Sequence, residues 1–368
     1  MNHNIKDWKL TVGLEVHIQL STNSKMFCKC PVLYGSTPNS LICPVCLGLP
    51  GALPIINQEA INMAIKLGYA FNFTINKNTE FSRKNYYYPD LPKGYQITQF
   101  DKPICENGSI EIKKDKKLHT IGITRAHIEE DSGKLIHHSD NYSFVDLNRA
   151  GSPLIEIVSE PQIHSSEEAR LYLEKLKQII KYINISDCDM EKGNLRVDIN
   201  VSVNKENDKK LGTRREVKNL NSFKSVQKAI NYEYKKQIEL IESGQKIQQS
   251  TLSWDEKNNK TKIIRSKEDA HDYRYFSEPD LPRLSLSDEN LNNIKNNLPE
   301  LPNQKLDRFS KEYNIKEQDL NIIVSDFELA DYFESLVELT QLPQETANWI
   351  LMELLRYTKE NNITINEC

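Results

Sequence analysis

The chain has 368 residues, a formal net charge of −4, 38% hydrophobic residues and 27% charged residues. This length suggests two or three domains of ordinary size with enough apolar material for a real core. No stretch approaches the roughly 18 consecutive apolar residues of a membrane span, which excludes an integral helical membrane protein. The near-neutral charge neither supports nor excludes a nucleic-acid partner, because a local basic patch can hold a folded RNA.

Residues 8–20 alternate cleanly and predict a strand. Leu10, Val12, Leu14, Val16 and Ile18 face one way. Glu15 and His17 share the polar face, about 7 Å apart along the strand. Next come Cys28 and Cys30, twelve intervening residues, then Cys43 and Cys46, with only Cys105, Cys188 and Cys368 elsewhere. Thiolates so spaced can converge on one tetrahedral zinc ion. Inert or redox-active cysteines remain the alternative. A disulfide reading is weaker, since no secretory leader is read in Met1–Trp8 and the composition suits a cytoplasmic protein. Four thiolates leave no open position for water, so chemistry is sought elsewhere.

Residues 57–71 predict a helix. Residues 79–108, dense in tyrosine, proline, asparagine and aspartate, predict an ordered loop region between short strands. Strands are expected over 110–130 around a turn at Lys113–Lys117, and again over 145–159. Ser165 followed by Glu168 is a capping-box pattern opening an amphipathic helix over 165–183. Strands at 195–203 and 214–219 precede a second long helix at 223–241. Past Ser287 three or four short helical segments are broken by Pro299, Pro302 and Pro343. The last is expected over 345–360, with Ile350, Leu351, Leu354 and Leu355 needing a partner surface. The fold class is α+β: a lobe over 1–290, with its cysteine loop at 28–46, then a helical domain over 291–368. The chain ends soon after that helix and is expected to be shortened.

Three constellations could carry chemistry. Glu15 with His17 can hold a divalent cation, though a solvated strand face gives the same pattern. Glu129, Glu130 and Asp131 form an acidic run that Mg²⁺ bound with ATP phosphates would balance, since Mg²⁺ takes hard oxygen ligands. The alternation slips near Arg125, so pattern does not decide whether Glu129 or Glu130 faces the site, and an exposed acidic turn is the bland reading. Asp198 and Glu216 could complete a carboxylate-lined bowl. Arg196, Arg214, Arg215 and Lys218 nearby suit triphosphate oxygens or an RNA backbone. Arg274, between Tyr273 and Tyr275, could stack on a base or seal a core. The chain has no GxxxxGK[ST], GxSxG or HExxH sequence.

Several runs together resemble one family: Gly13-Leu14-Glu15-Val16-His17, residues 43–51, 83–96, 122–131, 145–149, 154–161 and 218–222, and Asp272-Tyr273-Arg274-Tyr275-Phe276. Over about residues 8–285 the chain is similar to GatB, one of the subunits of the aspartyl/glutamyl-tRNA amidotransferase. The resemblance implies a cradle-type catalytic domain with an antiparallel sheet, related in fold to glutamine synthetase, followed by a helical domain. It implies a ligase that activates the side-chain carboxylate of misacylated Glu-tRNA(Gln) or Asp-tRNA(Asn) with ATP. Ammonia, made from glutamine by a separate glutaminase subunit, then forms the amide. A third subunit clamps the other two together and completes a heterotrimer.

Positions matching Glu15, His17 and Glu130 lie around magnesium in that family. To these the reading of the residues adds Asp198 and Glu216 as metal ligands, with Arg196, Lys218 and Arg274 toward the nucleotide. The zinc cysteines are structural there. The family has a further tail domain, so weaker tRNA binding is expected here. A non-catalytic tRNA-binding or scaffold subunit, or a free-standing ammonia-dependent ligase, are the alternatives. The absence of a glutaminase motif favours dependence on a partner.

Overall fold

A computed structural model describes residues 7–138, 142–208, 210–266 and 272–368. Residues 1–6, part of the segment in which no leader is read, lie outside them. The chain divides into two compact units, Met1–Lys175 with Ile185–Asn296, and Leu176–Asn184 with Asn297–Cys368.

The first unit is built on a nine-stranded sheet. Its strands follow in the order Lys260–Ser266, Ser250–Asp255, Arg215–Leu220, Leu195–Lys205, Trp8–Gln19, Pro153–Ser159, Lys117–Glu130, Cys105–Lys114 and Thr74–Ile75. One pair is parallel, Arg215–Leu220 with Ser250–Asp255; the helix Phe223–Glu242 provides the crossover between them. The other pairs are antiparallel. At the centre, Leu10, Val12, Leu14, Val16 and Ile18 lie against Val203, Val201, Ile199, Val197 and Leu195. All ten are buried, and each contributes about 1.5–3 kcal/mol of transfer free energy. The strict period of two that buries this set turns the intervening polar residues to the other face.

Several elements differ from expectation. The stretch expected as one strand over 145–159 is two, Ser143–Asp146 and Pro153–Ser159. Gly151 turns the chain between them at a φ of +87°. Strands Ser250–Asp255 and Lys260–Ser266 are additions to the expected set, because their serines, threonines and lysines do not alternate with apolar residues strongly enough to announce them. The 57–71 helix is Gln58–Ala70, capped by Asn57, whose side chain accepts from the amides of Glu59 and Ala60. The capping box of helix Ser166–Tyr182 is shifted. Ser165 Oγ accepts from Glu168 N–H at 3.1 Å, while the Glu168 carboxylate accepts from His164 N–H at 2.7 Å.

The second unit has its own core of Phe309, Leu320, Ile323, Phe333, Ile350 and Leu354 around Tyr182. The expected final helix is a continuous run of Pro343–Trp349, a π-helical Ile350–Leu354, and Leu355–Asn361. Ile350 and Leu354 are buried within this unit, and Leu351 and Leu355 pack against the same cluster. The partner surface expected for these residues lies within this unit. Among the described residues no helix is long and apolar enough to cross a membrane.

Candidate active site and cysteine cluster

Cross-strand register assembles the site. His17 is opposite Glu156 on one side and Arg196 on the other. Glu156 is opposite His127, and Glu15 is opposite Asp198. Four neighbouring strands therefore bring Glu15, His17, His127, Glu129, Glu156, Arg196 and Asp198 to one face. His17 Nε2 lies 3.3 Å from Glu156 Oε2, 3.6 Å from Glu129 Oε1 and 4.0 Å from Glu15 Oε1. His127 Nε2 lies 3.6 Å from the same Glu156 oxygen, and its Nδ1 is buried with no hydrogen-bond partner. Two overlapping ligand sets result, Glu15–His17–Asp198 and His17–Glu129–Glu156, each with its ligand atoms within 4.8 Å of one another. Imidazole nitrogen with carboxylate oxygens suits a divalent cation with oxygen-rich coordination.

The electrostatics are those of a crowded, desolvated carboxylate cluster. Burial, and next the charge of Glu156, push the Glu15 carboxyl up to about 7. Burial alone would lower the His17 imidazole, but its hydrogen bond to Glu156 and that carboxylate's charge raise it to about 9. Burial keeps the His127 imidazole below its usual value. Burial would raise Glu156; His127 and His17 outweigh it and hold Glu156 well below the ordinary carboxylate range. Lys84 supplies a further cation. Burial works to lower it, yet the charges of Glu129, Tyr275 and Glu156 raise it, and its Nζ sits 5.1 Å from the Tyr273 ring centroid.

The remaining expected residues are placed differently. Glu130, expected in the metal cluster, points to the opposite face because successive strand residues alternate. It is buried, ion-paired with Lys93, and accepts from the Ile97 amide at 2.9 Å. Glu129 occupies the position expected for it. Glu216 lies opposite Asn200 on the same face, bound by Lys218 at 2.9 Å and by Thr251 Oγ1 at 2.8 Å. Lys218 also pairs with Asp198, so it joins the edge of the cluster. Arg196 Nη2 binds Asp131 Oδ2 at 2.8 Å, and Arg149 Nε approaches the same oxygen at 3.2 Å. Arg215 is buried on the other face against Glu233, and Arg214 is exposed. Arg274 is exposed; its carbonyl accepts from Asn85 Nδ2, and no side-chain contact brings it to the cluster among the described residues.

Sequence reasoning from spacing missed Glu156, His127 and Lys84. A lone acid inside the apolar run Leu154–Val158 was the available signal for Glu156.

Cys28, Cys30, Cys43 and Cys46 place all four sulfurs within 4.8 Å of one another. In a zinc tetrahedron with Zn–S of about 2.3 Å the sulfurs stand about 3.8 Å apart; Cys43 and Cys46 Sγ are 3.9 Å apart. Beside this loop lies a cavity of 860 Å³ lined by parts of 32–38, 146–152 and 187–196, with Leu220 and Asn221. Arg196 is shared between this cavity and the sheet face bearing His17.

Residues 10–292 match the family described as the GatB/GatE catalytic domain. The chain belongs to this family. It is 50% identical over 368 residues to the B subunit of the aspartyl/glutamyl-tRNA(Asn/Gln) amidotransferase of Carboxydothermus hydrogenoformans, covering 99% of this chain and 76% of that protein. The proteins of the same name from Thermodesulfovibrio yellowstonii and Persephonella marina are each 50% identical over 361 residues, 98% of this chain and 76% of theirs. Membership of the GatB/GatE family accords with an α+β catalytic unit dominated by antiparallel pairing.

Proposed function

We infer that the chain is the part of an ATP-using tRNA amidotransferase in which the side-chain carboxylate of a misacylated tRNA is activated, and that the Glu15–His17–Glu129–Glu156–Asp198 cluster is the centre for that step. The observation that carries this reading is the convergence of His17 with Glu156 and Glu129 at 3.3 and 3.6 Å on the polar face of the central sheet. A carboxylate is a poor electrophile. Transfer of the ATP γ-phosphoryl to its oxygen creates an acyl phosphate and ADP; ammonia then attacks the carbonyl carbon and phosphate leaves, giving the amide.

Magnesium held by these carboxylates and His17 would supply Lewis-acid neutralisation of the phosphoryl oxygens. The chain's own cations surround that position. Lys84 faces Glu129 and Glu156, Lys218 pairs with Asp198, and Arg196 reaches toward the cavity. They offset charge on the triphosphate and fix its orientation. His127, its imidazole held below the usual value by burial, lies 3.6 Å from Glu156 and orients it. Glu130, bound by Lys93, supports the strand end and is not assigned as a ligand. The four cysteines are assigned a structural zinc. The proposed partners, in the cytoplasm, are a glutaminase that supplies the ammonia and a third, clamping polypeptide. The cradle is assigned a relation in fold to glutamine synthetase.

The test is reconstitution with both partners, glutamine, ATP and each misacylated tRNA. Amide should form on at least one tRNA and fail with the Glu156→Gln chain. Equal yields from both chains would remove the cluster from the reaction.

A further inference from the structure

The cysteines bracket a segment that lines the cavity beside them. Twelve residues run from Cys30 to Cys43, and Val32, Leu33, Tyr34, Gly35, Ser36 and Pro38 among them line the 860 Å³ space. The later part of this segment is laced to the stretch 145–148, which contributes Asp146 and Asn148 to the same lining. Asn39 is the crossing point. Its Nδ2 donates to Val145 O at 2.9 Å, its Oδ1 accepts from Leu147 N–H at 2.8 Å, and its own N–H donates to Asp146 Oδ1 at 3.1 Å. Asn148 answers from the other side, accepting from Leu41 N–H at 2.8 Å and donating to Thr37 O at 2.7 Å.

Lys25 is the hub beneath both. Fully buried, its ammonium donates to Leu41 O at 2.9 Å on one segment and approaches Leu147 O at 3.4 Å on the other. Gly151 neighbours both Lys25 and the cysteine loop. A Cβ at Gly151 would stand 3.5 Å from Lys25 Cδ and 3.7 Å from Cys46 Cβ. From there the wall continues into Arg149, which donates to Gly133 O at 2.8 Å and shares Asp131 with Arg196.

We propose that zinc held by the four thiolates is the clasp of this cavity, fixing segment 31–42 against 145–149, and that the cavity, which shares Arg196 with the sheet face bearing His17, takes part of the substrate, so that metal occupancy sets how tightly substrate binds there. This rests on the reading of the cysteines as a zinc site. A twelve-residue loop loses conformational entropy when it is pinned at both ends, and ligation supplies that ordering free energy in a form the folded chain keeps. The Lys25 ammonium brings positive charge next to a ligand set that is net negative with zinc bound, which favours both. The Glu15–Glu156 cluster lies on the central strands, held by its own register, and does not depend on the clasp.

The experiment uses the full chain assembled with its partners, before and after treatment with a zinc chelator, beside an Asn39→Ala chain that keeps every cysteine. Zinc is measured by elemental analysis, hydrogen exchange is followed in peptides covering 31–42 and 143–152, and KM and kcat are measured for ATP and for aminoacyl-tRNA. Chelation should remove about one zinc per chain and speed exchange in both peptides by about tenfold or more. KM should rise for at least one substrate with kcat changed less than about twofold. Asn39→Ala should keep its zinc and show faster exchange in 143–152. Zinc loss with unchanged exchange in 143–152 and unchanged KM values would overturn the clasp and leave the zinc site standing. Unchanged exchange in Asn39→Ala would overturn the link between the two segments on which the clasp depends. Absence of zinc from untreated protein would overturn both the clasp and the zinc reading.

Discussion

Glu156 Oε2 stands 3.3 Å from His17 Nε2, and the strands that carry them put the two residues directly opposite in the antiparallel ladder. That register makes the contact a property of the sheet, not of a mobile loop. Glu156→Gln keeps the volume and removes the charge that holds His17. Amide formation should fall by about a hundredfold or more, with glutamine hydrolysis by the glutaminase partner retained. A quantitative assay of both reactions on one preparation checks it.

Glu129 and Glu130 should separate cleanly. Glu129 faces His17, whereas Glu130 faces Lys93. Glu129→Gln should weaken divalent-ion binding. Glu130→Gln should leave ion binding in place and cost about 3 kcal/mol of stability, because the half-buried Lys93 ammonium loses its counter-charge. Isothermal ion titration and urea unfolding of the two variants give the comparison. The reverse pattern would restore Glu130 to the metal.

The central strands are readable from sequence because their period of two is unbroken: Leu10 to Ile18 and Leu195 to Val203 declare a buried face, and Glu15, His17, Arg196 and Asp198 follow on the other. The strand carrying Glu129 is not, because its pairing shifts opposite Val158 and Ser159, near Arg125, where parity cannot be counted through. Glu156 is hidden for a related reason. It sits in a run buried on both faces, where a lone acid gives no alternation to read. Lys84 comes from a short strand, Ser82–Asn85, within a loop-rich region, and only tertiary packing brings its charge toward Glu129 and Glu156. Arg274 stands out as an arginine between aromatics, yet it is Tyr273 that meets Lys84.

Lys84→Met should reduce amide formation by about a hundredfold, since it removes one cation from a preorganised set facing developing phosphoryl charge. The loss should lie mainly in kcat. Steady-state kinetics in ATP at saturating tRNA distinguish this from a change confined to KM.

Acid stability should depend on Glu256. Its carboxylate accepts from Ser225 Oγ at 2.7 Å, Lys228 Nζ at 2.9 Å and Trp254 Nε1 at 2.6 Å. The Ser225 hydrogen bond, then those of Lys228 and Trp254, lower its pKa from 4.5 to about 2. A carboxyl depressed on folding contributes stability that is present above its unfolded value of 4.5 and is lost as pH falls through about 2. Glu256→Gln should therefore be less stable than the parent at neutral pH, with the difference shrinking as pH falls from 4.5 toward 2. Urea midpoints at the two ends of that window measure it.

The most direct measurement is anomalous diffraction from crystals of the chain with its partners, soaked in Mn²⁺ with a non-hydrolysable ATP analogue. The account predicts an anomalous peak bounded by Glu15, His17, Glu129, Glu156 and Asp198, with the analogue's phosphates against it. A manganese peak absent from this cluster and present beside Glu130, or beside the phosphates at another face of the sheet, would contradict it.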